Sequence, residues 1–168
     1  SGVPHISMTT NANLINETQL TDWVNNGLSE ITVSLHGVYK ETYEEMMGRG
    51  DYDKFLNALA IIQKLKSTNP YLQLRINYTF NEDNFDELYD FWKVFDQFDI
   101  NTLQIRPIIK IGETAYNNFS LDKILPKYQD LYNNLIIKAK ENGTSILIPT
   151  LAQLSSDRKS EQSTIREY

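Results

Sequence analysis

The sequence contains no cysteine among its 168 residues. This absence excludes disulfides, a thiol nucleophile, thiolate zinc sites and an iron–sulfur cluster held by cysteines of this chain. Basic residues are also in the minority, with 16 Lys+Arg against 22 Asp+Glu and a net charge of -6. Because an acidic chain repels phosphates and anionic lipids, we expect neither nucleic acid nor a membrane as a partner.

Long hydrophobic runs are missing as well. No apolar stretch approaches the roughly 20 residues that cross a bilayer, and no charged start followed by an apolar segment indicates a signal peptide. We therefore expect a cytoplasmic protein. The composition, 40% hydrophobic and 11% aromatic, is that of a folded globular chain. We predict one α/β domain over residues 1–154, followed by a polar tail or linker over 155–168.

Short β-type runs alternate with segments that keep the 3.6-residue period of a helix. The predicted strands are 6–10, 30–35, 72–80, 103–109 and a short last one at 146–148. Helices are predicted after the capping residue Asn16, over 40–47, from Asp51 to Asn69, around 85–95 and from Ser120 to Asn142. Such alternation indicates right-handed βαβ units and a parallel sheet. Since a complete eightfold barrel needs about 250 residues, the sheet is either an open doubly wound one or part of a barrel.

Polar residues gather where these strands end, and ligands bind at the carboxyl ends of strands in both architectures. The residues are Thr10, Asn11, Ser34, His36, Asn77, Tyr78, Gln104 and Arg106. No Gly-x-Ser-x-Gly elbow, His-Glu-x-x-His pair or Gly-x-Gly-x-x-Gly loop is present. The sequence therefore offers no motif of a hydrolase, a zinc protease or a dinucleotide-binding domain.

Taken in chain order, several segments resemble the middle of a radical S-adenosylmethionine (SAM) enzyme of the Fe–S oxidoreductase type. The resemblance extends from His5 to about Pro149 and rests on Thr9–Ile15, Ile31–Gly37, Tyr39–Gly50, Phe55–Leu65, Asn81–Leu88, and Gln104–Pro107 with Ile111-Gly112. It implies a partial, TIM-like (β/α)6 barrel with parallel strands. Residues 6–10, 30–35, 72–79 and 103–108 then correspond to strands three to six.

The same resemblance implies that the parent enzyme uses SAM and a [4Fe–4S] cluster, whose reductive cleavage of SAM starts radical chemistry. The family's three cluster cysteines and its glycine-rich SAM segment have no counterpart here. We expect an inactive fragment of such an enzyme, because Ser1-Gly2 resembles a remnant of tag removal and the chain enters directly at a strand. The alternative is a noncatalytic α/β interaction module that lost the cluster, and an upstream Cys-x3-Cys-x2-Cys in genomic DNA would discriminate the two.

The resemblance also suggests which residues contact ligands, with no catalytic or metal-binding residue in this chain. The residues implied for SAM are Ser34, Arg49, Asn77, Thr10 and Asn11. The residues implied to face a substrate are His36, Gln104 and Arg106. A serine hydroxyl suits ribose or carboxylate, and a guanidinium such as that of Arg49 suits the SAM carboxylate.

The first strand is expected to have a free edge, because its neighbour in a barrel lies outside this chain. The expected partner is the missing N-terminal part of the enzyme, and in its absence a second copy. We predict a twofold dimer joining two first strands antiparallel, next to an uncovered apolar sheet face. The run 5–10 has no lysine, acid or interior proline to discourage such pairing.

Overall fold

The computed structural model describes residues 5–108 and 121–154. Five strands are present: β1 (Ser7–Thr10), β2 (Glu30–Leu35), β3 (Gln73–Phe80), β4 (Thr102–Pro107) and β5 (Ser145–Leu147). The α-helices are α1 (Glu17–Asn25), α2 (Lys40–Met47), α3 (Tyr52–Thr68), α4 (Phe91–Phe95) and α5 (Leu125–Glu141). The predicted cap Ser120, the Ile111-Gly112 segment and the tail 155–168 lie outside the described residues.

The strands form one parallel sheet in the order β1-β2-β3-β4-β5. A doubly wound sheet reverses its strand order at one point, whereas a barrel keeps the strands sequential. Right-handed crossovers in sequential order place every helix on the same side of the sheet. The fold is therefore the barrel alternative, as predicted, and β5 adds one strand to the four assigned from the resemblance.

The core lies between the sheet and these helices. Alternate residues of β2 and β3 point into it and are fully or almost fully buried, including Ile31, Val33, Leu74 and Ile76. The local signals read from the sequence also hold, since the Asn16 side chain accepts hydrogen bonds from the first turn of α1. No helix in the described ranges is long and apolar enough to span a membrane.

The helix predicted around 85–95 differs from expectation. Its aromatic side chains are buried, but Asp86–Asp90 winds as a 3₁₀ helix and only Phe91–Phe95 is α-helical. The Glu87 carboxylate accepts hydrogen bonds from the N–H groups of Val38 (2.6 Å) and Tyr39 (3.3 Å). This long-range contact with the start of α2 holds the tighter turn in place, and local periodicity does not reveal it.

The face of the sheet opposite the described helices is polar, so the expected uncovered apolar surface does not lie there. Apolar surface is instead found on the edge of the sheet, beside β1. A groove of about 340 Å³ lies there, between the edge strand and α1. It is lined by Ile6, Ser7, Met8, Trp23, Asn26 and Leu28. Ile6 and Trp23 are 40% and 45% exposed.

Candidate functional site

The face of the sheet opposite the described helices, called the polar face below, carries hydrophilic side chains at every second position of the inner strands. Strand pairing places Ser34 beside Asn77 and Asn77 beside Gln104. Because paired strands lie about 4.8 Å apart, these three side chains form one continuous row across β2, β3 and β4. We call Ser34, Asn77 and Gln104 the amide row. The sequence placed all three near strand ends, and the sheet brings them together.

Asn77 is the exceptional member of the amide row. Its side chain is only 6% exposed, and its Oδ1 atom has no hydrogen-bond partner among the described residues. An unsatisfied buried acceptor costs about 1–3 kcal/mol, so proteins rarely retain one without a reason. A hydroxyl or N–H donor of a bound ligand would satisfy this atom.

The charges at the amino-terminal end of the polar face neutralise each other. Arg75 lies beside Thr32 and Thr102 in the register, and its guanidinium pairs with Glu30 at 3.0 Å. Both partners are largely buried, with side-chain exposures of 29% and 15%. Because of this ion pair, the amino-terminal end of the polar face has no net charge.

The row on the carboxyl side contains His36, Thr79 and Arg106, and we call it the upper row. Arg106 pairs with Thr79 in the register, and His36 directly follows β2. The Asn84 side-chain amide donates to the carbonyl oxygens of His36 (2.7 Å) and Thr79 (3.0 Å), which fixes the ends of β2 and β3 together. Burial, and to a lesser extent the positive charge of Arg106, lower the pKa of His36. Both effects favour the neutral imidazole of His36.

Asn84 is a residue whose role the sequence interpretation missed. It is completely buried, and its Oδ1 also accepts a hydrogen bond from the Asn81 N–H at 2.8 Å. The available signal was two asparagines three residues apart directly after a strand, a spacing typical of side chains that hydrogen-bond to nearby backbone.

The end of β1 is built differently. Thr10 lies opposite Val33 in the register, so it belongs to the helix side of the sheet and does not join the polar face. Its hydroxyl accepts a hydrogen bond from the Ala12 N–H at 3.0 Å, within a turn where Ala12 adopts a positive φ of 67°. Asn11 is exposed, and its Oδ1 accepts from the Asn13 N–H at 3.2 Å. Thr10 is thus a turn residue here.

Arg49 lies in the exposed loop between α2 and α3, close to the end of β1. Asn13 connects the two segments, since its Oδ1 accepts from the Asp51 N–H at 2.6 Å and its Nδ2 donates to the Tyr43 hydroxyl at 2.7 Å. No ion pair joins Arg49 to another described residue. The structure therefore places Arg49 and Asn11 at the β1 side of the site, apart from the upper row on β4.

The described ranges contain no group of three or more His, Cys, Asp or Glu side chains arranged to hold a metal ion. The chain also has no cysteine thiolate for an iron–sulfur cluster. The chemistry that the polar face offers is hydrogen bonding by amides and hydroxyls, with one guanidinium and one neutral imidazole at its carboxyl end.

Neither a scan against protein-family models nor a search of curated proteins found a match. Among solved structures, the chain is similar to SuiB of Streptococcus suis, with a TM-score of 0.62 and 14% sequence identity. Similar structures include SuiB bound to S-adenosylmethionine (TM-score 0.62) and SuiB bound to the precursor peptide SuiA (TM-score 0.61), both also at 14% identity. Each match covers 86% of this chain and 32% of SuiB. The chain thus has the α/β fold of about a third of SuiB, a partial barrel of parallel strands.

Proposed function

We propose that this chain is one part of a radical SAM enzyme of the Fe–S oxidoreductase type, and that its polar face binds SAM. The cluster does not fit this chain, which has no cysteine, so it belongs to another part of the enzyme. On this proposal the chain alone is inactive. When bound at a reduced cluster, SAM supplies the radical that starts the reaction.

The observation that carries the proposal is the buried, unpartnered Oδ1 of Asn77 in the middle of the amide row. An acceptor in that position suits a ribose hydroxyl, which donates one hydrogen bond and accepts others. Ser34 and Gln104 flank Asn77 on the neighbouring strands and supply further donors. The likeness to SuiB supports the proposal. One of the similar SuiB structures is bound to S-adenosylmethionine, and its match covers 86% of this chain.

The other residues have supporting parts in this proposal. Arg49 and Asn11 lie at the β1 end, where a guanidinium can pair with the SAM carboxylate. Thr10 holds the turn that presents Asn11, through its bond to the Ala12 N–H. With the cluster on another part of the enzyme, the chain retains only some of the contacts to SAM. We therefore expect weak binding, with a Kd in the millimolar range, equivalent to about 4 kcal/mol.

The test is a titration of the isolated chain with SAM, followed by ¹H–¹⁵N NMR. Backbone signals of the amide row and of residues 10–13 should move together. The variant Asn77→Leu should lose the response, whereas Asn133→Leu, on the exposed side of α5, should keep it. Signals that move only elsewhere, or an equal response of both variants, would contradict the proposal. Micromolar affinity would also contradict it, because the contacts present account for only part of the binding energy.

A second candidate function is a noncatalytic interaction module. The groove beside β1 favours it, since exposed Ile6 and Trp23 are unusual on the surface of a protein that acts alone. The SAM titration separates the two candidates, because an interaction module that lost its cofactor has no reason to respond at Asn77.

A further inference from the structure

The charge on the polar face is not balanced. Strand alternation places three charged residues on it, and two of them, Glu30 and Arg75, form an ion pair with each other. The third, Arg106, is exposed and has no acidic partner among the described residues. The face therefore carries one net positive charge within a chain of net charge -6. This local reversal of sign selects for an anionic group at the end of β4.

The neighbours of Arg106 are neutral hydrogen-bonding groups. His36 is half-buried, and its pKa is lowered by burial and by Arg106, so it adds no second charge near pH 7. Thr79 lies directly beside Arg106 in the register and is also half-buried. A single guanidinium with two neutral partners matches one carboxylate, which the planar guanidinium can bind through two parallel hydrogen bonds. A phosphate carries nearly twice that charge and would remain partly uncompensated.

We propose that the upper row, formed by His36, Thr79 and Arg106, binds a carboxylate of the enzyme's substrate. This inference rests on the proposed function, in which the amide row and the β1 end hold SAM. Arg106 lies two strands from β2 and three from β1, about 10 and 14 Å across the sheet. One molecule whose carboxylate pairs with Arg49 does not also place that carboxylate at Arg106. The substrate class is therefore a carboxylic acid, such as a peptide with a glutamate or aspartate side chain.

The completely buried Asn84 side chain supports the upper row from beneath. Asn84 holds the carbonyl groups of His36 and Thr79, so the backbone under the upper row is fixed in advance. The vacant acceptor of Asn77 lies one row below, about 7 Å along the strand. Asn77 on β3 can thus accept a hydrogen bond from a neutral donor, and Arg106 on β4, one row above, can bind an anion.

The experiment uses the two histidines of the chain, His5 and His36, as an internal pair. The pKa of each ring is followed by NMR in the isolated protein, with and without N-acetyl-glutamate methylamide. Its neutral isostere, N-acetyl-glutamine methylamide, is the matched probe. A carboxylate beside Arg106 offsets the positive charge and favours the imidazolium, so the acidic probe should raise the pKa of His36. His5, on the far side of β1, should not respond.

Variants give the proposal its sharpest test. Arg106→Gln should raise the pKa of His36 without any probe, because it removes a charge that lowers it, and should weaken probe binding about tenfold or more. Lys138→Gln, which also removes a positive charge but from the exposed surface of α5, is the matched control and should leave both measurements unchanged. Equal effects of the acidic and neutral probes, or a full response in Arg106→Gln, would overturn the proposal.

The source of the carboxylate is settled by adding SAM to the same samples. If SAM shifts the amide row and the acidic probe still shifts His36, both proposals stand. If SAM itself raises the pKa of His36 through Arg106 and displaces the probe, the carboxylate is that of SAM and the substrate assignment is wrong. If the probe shifts His36 while SAM moves nothing, the acid site stands and the proposed function fails.

Discussion

Replacing Asn77 with leucine should make the protein more stable. The side chain is almost completely buried, and its Oδ1 makes no hydrogen bond within the described residues. Leucine has a similar volume, removes the unsatisfied acceptor and adds apolar contact. If Asn77 is retained for ligand binding at a cost in stability, its replacement should raise the free energy of unfolding.

The magnitude follows from the desolvation of one acceptor. An unsatisfied buried polar atom costs about 1–3 kcal/mol, and the half-exposed polar neighbours Ser34 and Gln104 reduce the gain from added apolar surface. We expect Asn77→Leu to raise the free energy of unfolding by about 1–2 kcal/mol. For a chain of this length each kcal/mol shifts Tm by about 2–4 °C, so the expected rise in Tm is about 2–8 °C.

The matched control is Asn84→Leu. Asn84 is also buried, but its side chain makes three hydrogen bonds: to the carbonyl groups of His36 and Thr79, and from the Asn81 N–H. Its replacement should lower the free energy of unfolding by about 3 kcal/mol or more. Urea unfolding and thermal scans of both variants measure the contrast. If Asn77→Leu is destabilised as much as Asn84→Leu, Asn77 is a satisfied structural residue and the argument for a ligand at the amide row fails.

Three further predictions concern the whole chain. Anaerobic reconstitution of the isolated protein should give no iron uptake and no 5'-deoxyadenosine, because the chain has no cysteine thiolate. A brown protein that absorbs at about 400 nm would contradict this prediction. Light scattering should show a twofold dimer formed through β1. Ser7→Lys or Thr9→Lys, both at exposed positions, should shift the equilibrium towards the 19.5 kDa monomer. A wild-type chain that stays monomeric at high concentration would refute pairing through the exposed edge. In urea unfolding, Gly37→Ala should lower the free energy of unfolding by about 2 kcal/mol or more, because the added Cβ would lie 2.5 Å from the Tyr43 backbone nitrogen. Gly143→Ala, with φ of 66° and open space around the residue, should lower it by about 1 kcal/mol. Equal losses of stability would show that crowding at Gly37 is not decisive.

The sequence was sufficient to predict the order of strands and helices, because β2 and β3 carry β-branched and aliphatic residues between clear turn and capping signals. It placed Ser34, Asn77 and Gln104 near strand ends but not in one row. Register depends on which residues pair across strands, and that information is not local. Chain length and the alternation of elements left an open sheet or part of a barrel, and the resemblance to a radical SAM core favoured the partial barrel, which the sequential strand order confirms.

Other details depend on which face of a strand a residue occupies. Thr10 was grouped with Asn11 as a ligand contact, yet its pairing with Val33 places it on the helix side. An uncovered apolar sheet face was expected beside the first strand. The alternation of Glu30, Thr32 and Ser34 with core residues already indicates that one face of β2 is polar. The part played by Asn84 was hidden for a different reason, since its acceptors lie on two separate strands.

The contact of Glu87 with the start of α2 has a consequence for how the protein folds. The residue before α2, Tyr39, provides no side-chain cap. The entry to the helix is held instead by the Glu87 carboxylate, 49 residues from Val38 along the chain, which accepts hydrogen bonds from the N–H groups of Val38 and Tyr39 and from the Thr42 hydroxyl. A helix of eight residues is marginal on its own, and α2 therefore cannot become stable until β3 and the following 3₁₀ turn have docked. The order of events along the chain is thus reversed locally: a later segment must arrive before an earlier helix can persist. Since Gly37 and His36 immediately precede that helix, the rim of the binding face is completed late in folding, in a step with high sequence separation and correspondingly slow closure.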